Sequence, residues 1–161
     1  MTDFPHFYGL QPRWTGSDRL FKIFVADAAL FGARVAGQIY DEHVAQTTLI
    51  EPAGLLGFAL KPLVEKLLAK RQDAERRYET MDPRSPQFLK MDRANFRLDA
   101  SSIRSAVLRR KKSRWTASNA GAVTLRLRNG TIKRFILIGN QDLSEVRGLI
   151  GQLVADVKMA D

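Results

Sequence analysis

Apolar and polar positions first fall into a regular order at Leu20. From there to Ile39 the chain is rich in apolar and β-branched residues, and Asp27-Ala28-Ala29 breaks it into runs 20–26 and 30–39. In the second run Leu30, Gly32, Arg34 and Ala36 share one parity and Phe31, Ala33, Val35 and Gly37 the other. This is the period-two pattern of strands and predicts a β-hairpin. The period then changes. From Pro52 to Met81, Leu56, Leu60, Leu63, Val64, Leu67, Ala74 and Tyr78 recur at three- and four-residue spacing, with Lys61, Glu65, Gln72, Arg76 and Glu79 opposite them. That spacing predicts an amphipathic helix with Pro52 in its first turn. Asp82-Pro83-Arg84 ends it, and Ser85-Pro86 starts a short second helix to about Met91.

Extended patterns resume at 95–99 and, after the Ala100-Ser101-Ser102 turn, at 103–110. Residues 111–121 read as a polar, basic connection. Val123, Leu125 and Leu127 alternate with Thr124, Arg126 and Arg128, which predicts a half-buried strand with a cationic outer face. Asn129-Gly130 is a strong hairpin signal, and the return strand 131–138 carries the apolar run Phe135-Ile136-Leu137-Ile138. Whether that turn has two residues or a bulge decides which way Arg134 points. After Gly139, Asn140 or Asp142 caps a last helix, Asp142 with Glu145 resembling a capping box. Leu143, Val146, Ile150, Leu153, Val154 and Val157 form its apolar face.

Two stretches lack a period. Residues 1–19 mix Phe4, His6, Phe7, Tyr8 and Trp14 with prolines and glycines, and read as an aromatic arm laid over the domain. Residues 44–51 have no pattern. The long helix raises its own question. Pro62 removes a hydrogen bond, so a kink or fresh start near Lys61 is expected. Thirty helical residues would span roughly 45 Å, longer than a small domain is wide, so part of the helix should project. Its apolar stripe can pack on its own domain, on a second copy through Leu56, Leu60, Leu63 and Leu67, or in a membrane interface; the first two are favoured because the last turns are highly charged.

This order of elements resembles a bacterial pleckstrin-homology-like domain, related to the PH and GRAM families. The matching pieces are the early hairpin (Phe21-Lys22-Ile23-Phe24-Val25-Ala26-Asp27, then Ala29-Leu30-Phe31-Gly32), an inserted helical segment and Phe96 to Ala106 as strand, small polar turn and strand. The Asn-Gly hairpin and the C-terminal amphipathic helix complete the match, which covers most of 20–157. The resemblance implies an α+β fold, a bent antiparallel sheet of barrel or sandwich form with a C-terminal helix and a long inserted helix. It implies one domain over 20–161 behind the 1–19 arm, with the insertion at about 52–91. It also implies a non-catalytic role: binding anionic lipid in some relatives, binding protein or self-assembling in others. The insert is longer and more charged than the short Gly/Ala-rich one of the family.

Charge sharpens the picture. The chain has 26 Lys+Arg against 17 Asp+Glu, for a net charge of +9. Between Ala100 and Gln141 there is no acidic residue and there are ten basic ones, so all the excess sits there. Anionic partners follow: an anionic lipid surface, a protein or, less favoured, nucleic acid. The candidate contacts are Arg109, Arg110, Lys111, Lys112, Arg114, Trp115, Arg126, Arg128 and Lys133, whose guanidinium and ammonium groups can hold phosphate by charge-assisted hydrogen bonds. A solvated cationic edge that discourages strand pairing is the competing reading. Single-stranded nucleic acid would use the same face with Trp115 and Phe135, but no ladder of exposed aromatics is evident.

Chemistry beyond binding finds little footing. There is no cysteine, no phosphate-binding Gly-rich loop and no nucleophile elbow, so no catalytic role, cofactor or metal is expected. Asp27, Asp41, Glu42 and His43 are the only acid-base cluster, and adjacent residues of an extended strand do not converge on one ion. No uncharged apolar run reaches bilayer length, the nearest being 53–60, and no secretory signal opens the chain. The expected location is cytoplasmic, with the inner membrane face as a peripheral site.

Overall fold

The computed structural model describes residues 4–37, 45–110 and 119–160. Lys111, Lys112, Arg114, Trp115, Asp41, Glu42 and His43 lie outside them. Over the described residues the fold is α+β, with an eight-stranded open sheet, one long helix and several short ones. The strands are β1 (His6–Gln11), β2 (Arg19–Ala26), β3 (Ala29–Ala36), β4 (Phe96–Asp99), β5 (Ile103–Arg110), β6 (Asn119–Leu127), β7 (Ile132–Ile138) and β8 (Val157–Ala160). In space they run β4-β3-β2-β1-β7-β6-β5-β8. Neighbours are antiparallel except β5 with β8.

The expected hairpins are present. β2 and β3 join through Asp27 and Ala28, both with positive φ, the geometry whose twist matches paired strands. The β6–β7 turn is the bulged form. Gly130 N–H donates to the Leu127 carbonyl, Leu127 N–H to the Thr131 carbonyl, and Gly130 alone has positive φ. The tight turn therefore centres on Arg128 and Asn129, with Gly130 as the bulge.

Four sequence expectations are corrected. Residues 6–11 are a central strand rather than an arm, pairing with both β2 and β7. Gly9 hides this strand in the sequence, and it is glycine because a Cβ there would stand 2.8 Å from that of Phe135. The long helix (Gly57–Glu79) runs unbroken through Pro62. Pro62 and Phe58, four residues before it, are both exposed, so water can satisfy the carbonyl that loses its donor. The break comes earlier, at Gly54 with positive φ, among irregular helical turns over 46–56. The last helix (Leu143–Gly151) is shorter than its apolar pattern, and Val157 belongs to β8, parallel to β5. β6 also begins at Asn119, inside the stretch read as a connection.

Chain connectivity curls the sheet. β4 is one edge and β5 is next to the other, yet only Ala100–Ser102 separates them. The inner face holds one continuous core of Phe7, Phe21, Ile23, Leu30 and Leu98 with Leu108, Val123, Leu125 and Phe135, covered by Leu143, Val146 and Ile150 of the last helix. Asp142 caps that helix by accepting from Ser144 N–H at 2.8 Å. Gly32 has no side chain because the Phe96 ring lies over it, 2.1 Å from where a Cβ would stand; Phe96 in turn stacks on Phe135.

The outer face differs between halves. Over β1–β3 it is apolar too, with Leu20, Phe24, Phe31 and Val35 packed beneath Tyr78 of the long helix and Phe88 of the short helix (Pro86–Met91). Asn95 ties these layers, accepting from Arg34 N–H and donating to Tyr78 Oη and the Phe88 carbonyl. Buried Lys22 lies under the long helix with its Nζ 3.3 Å from Glu79, between the Tyr8 and Phe24 rings. Gln141 pairs with both backbone groups of Tyr8, extending the ladder from a side chain.

Gly32→Ala should cost about 1–3 kcal/mol in urea unfolding, because Phe96 must leave its stack. A smaller second substitution tests the cause: Phe96→Leu should make Gly32→Ala nearly neutral. Burial beneath the helix, then Glu75, raises the Tyr8 phenol to about 12 from 10.0. Its folded value exceeds its unfolded one, so its contribution is full below pH 10 and is lost as pH rises toward 12. Tyr8→Phe should remove that part of the alkaline loss of stability, read by unfolding across this range.

Candidate anion-binding surface

Over β5–β7 no helix of the described residues packs on the outer face, which carries the basic residues. Cross-strand partners share a face, so the register decides which side chains meet. Val107, Thr124 and Arg134 form one row, Arg109, Ala122 and Ile136 the next, and Ser105, Arg126 and Ile132 a third. Arg109, Arg126 and Arg134, each from a different strand, therefore surround Thr124. With Val107 and Ala122 they line a depression of about 190 Å³.

All three arginines are exposed, and none has an ion-pair or hydrogen-bond partner among the described residues. Lys158 of β8 stands beside Val107 on the same face, its Nζ 3.9 Å from Asp156. Three guanidinium groups around one hydroxyl form a site of the right chemistry for a phosphate or carboxylate.

Of the candidate contacts outlined from the sequence, the described residues bring only some together on this surface. Arg109 and Arg126 belong to it, and Arg134 joins them because the bulged turn sets its register. Lys133 leaves: it pairs with Leu125 on the inner face, with Nζ 5.0 Å above the Phe96 ring. Burial, then Arg19, lowers its pKa below the usual lysine value. Arg128 also leaves, since it sits in the turn and donates from Nε to the Ser101 carbonyl at 2.8 Å and from N–H to the Ser102 carbonyl. Arg110 points away from Arg109 by strand alternation. Its charge reaches Asp142, whose carboxyl is held below its ordinary value first by Ser144 and only last by Arg110.

A second group of cations was not legible from sequence distance. Arg19 has its pKa lowered by desolvation first and then by Arg13, Arg34 and Arg93, with Asp92 opposing them. These residues come from the β1–β2 link, β3 and the segment before β4, and only the fold gathers them. Trp14, in the same link, is fully exposed.

The long-helix leucines separate into two kinds. Leu56 and Leu63 are exposed, whereas Leu60 and Leu67 are half-buried. Leu67 lines a groove of about 280 Å³ against Arg34, Val35, Ala36 and Gly37. Asp27 forms no acid-base cluster among the described residues; it accepts from Arg84, which also grips Asp82. No group of three His, Asp or Glu side chains comes together among the described residues, and none of their helices is long and apolar enough to cross a membrane.

Comparison with protein-family models, with curated proteins and with solved structures finds no match for this chain.

Proposed function

We propose that this protein is a non-catalytic pleckstrin-homology-like module that docks on anionic membrane surfaces. The curled antiparallel meander β1–β7, with β4 turning directly into β5 and a helix closing the inner core, supports the family resemblance. The single observation that carries the binding reading is the outer face of β5–β7. There, three arginines without partners among the described residues surround Thr124, and no carboxylate of those residues pairs with them. Each basic group near an anionic leaflet contributes about 1 kcal/mol, so such a face localises a protein without a deep pocket. The single-stranded nucleic-acid reading would need exposed rings on this face, and Phe135 is fully buried.

Charge reversal at Arg109, Arg126 and Arg134 together should abolish flotation with phosphatidylserine-containing vesicles. The thermal midpoint should be nearly unchanged, because none of the three is packed. A wild-type chain that fails to float even at low salt would rule out the membrane reading. Oligonucleotide binding that falls log-linearly with salt would favour nucleic acid instead.

A further inference from the structure

The long helix is held to the sheet along only part of its length. Glu79 reaches Lys22, which pairs with Ala33, while Leu67 lies beside Ala36 and Gly37. The helix therefore crosses the end of β3 near Leu67, and its ten preceding residues extend roughly 15 Å beyond. The β1–β2 link leaves the sheet at that same end: Leu20 pairs with Ala36, and a Cβ on Gly37 would lie 3.8 Å from the Asp18 carbonyl.

What projects there is apolar. Leu55 is 93% exposed, Leu56 74%, Phe58 71% and Leu63 49%, and Trp14 stands fully in solvent on the neighbouring link. Leu55 and Leu56 are consecutive in a 3₁₀ turn, so they point roughly 120° apart. The apolar surface thus wraps around a tip instead of forming a stripe. A second helix covers a stripe, whereas fluid hydrocarbon and headgroups can cover a tip on every side.

Charge favours the same occupant. Lys61, Lys66 and Lys70 follow the tip along the helix, with Lys61 Nζ 5.2 Å from the Phe58 ring, and Arg13 precedes Trp14 on the link that Arg19 closes. Among the described residues the carboxylates at this end are Glu51, Glu65, Asp18 and Asp92; Asp18 accepts from Arg13 N–H and Asp92 pairs with Arg34. Apolar side chains and tryptophan ringed by lysine and arginine suit the interfacial layer of an anionic bilayer. Two copies meeting here would bring those cations together.

We propose that the 3₁₀ turn Gly54–Leu56 and the first turns of the long helix, through Leu55, Leu56, Phe58 and Leu63, seat beside Trp14 in the interfacial layer of an anionic bilayer. This rests on the membrane reading above and adds an insertion element to its charged face.

The test compares wild type with Leu55→Ser/Leu56→Ser/Phe58→Ser on vesicles of phosphatidylcholine with and without phosphatidylserine. Partitioning into the anionic vesicles should fall roughly a hundredfold, the loss being larger at high salt where the arginine face is screened. A Phe58→Trp probe in a Trp14→Phe/Trp115→Phe background should be quenched by lipids brominated near the headgroup. If wild type binds no anionic vesicle, the membrane reading itself fails. If wild type binds but the triple substitution binds equally and the Phe58→Trp probe is not quenched, only the tip proposal is overturned. A wild-type dimer in light scattering that the triple substitution converts to monomer would assign the tip to a second copy and overturn it as well.

Discussion

The Phe96 ring laid over Gly32 and stacked on Phe135 is the contact on which the architecture turns. β4 and β7 lie far apart in the order of the sheet, so that stack exists only if the sheet curls. Phe21 packs edge-on against both rings, adding β2 to the same closure. Aromatic pairs contribute about 0.5–1.5 kcal/mol beyond their buried area, and here they also set how far the two halves of the sheet approach. The short β4–β5 corner then follows, as does the enclosed inner face that receives the last helix.

Once the inner face is closed, the outer face must carry everything else, and it does so unevenly. Over β1–β3 it is a second core roofed by the long helix; over β5–β7 it is a bare strip of arginine, threonine and isoleucine. Lys22 marks the difference. It is a charged residue on the roofed half, tolerated because Glu79 and two rings receive its ammonium group. The arginines of the other half have no such company among the described residues, and their solvation stays with water until a ligand replaces it.

Much of this was legible where neighbours in sequence are neighbours in space. The β2–β3 hairpin and β6 follow from period-two alternation and turn residues, β7 from the Asn129-Gly130 turn and its apolar run, and the last helix from its cap and apolar spacing. What escaped depended on distant partners. Gly9 makes β1 look like a loop until Phe135 is seen against it. β8 is four residues long and has no turn to announce it. The face of Lys133 and Arg134 was decided by the bulge at Gly130, one residue of register that moves every side chain of β7 to the other side. The basic cluster around Arg19 shows the same limit, since its members lie on three separate segments.

The attachment of the long helix gives the molecule a mechanical property. A rod clamped to the sheet along one half and carried along the other by the helical turns over 46–56, with Gly57 and Val64 buried, is a lever with its fulcrum near Leu67. A load on the tip is felt where the clamp is, at Glu79 on Lys22 and at Arg71 over the Tyr8 ring. Tyr8 lies on β1, the strand that joins the two halves of the sheet, and its backbone is gripped by Gln141 just ahead of the last helix. Displacement at one extremity thus has a short, polar route to the seam of the sheet.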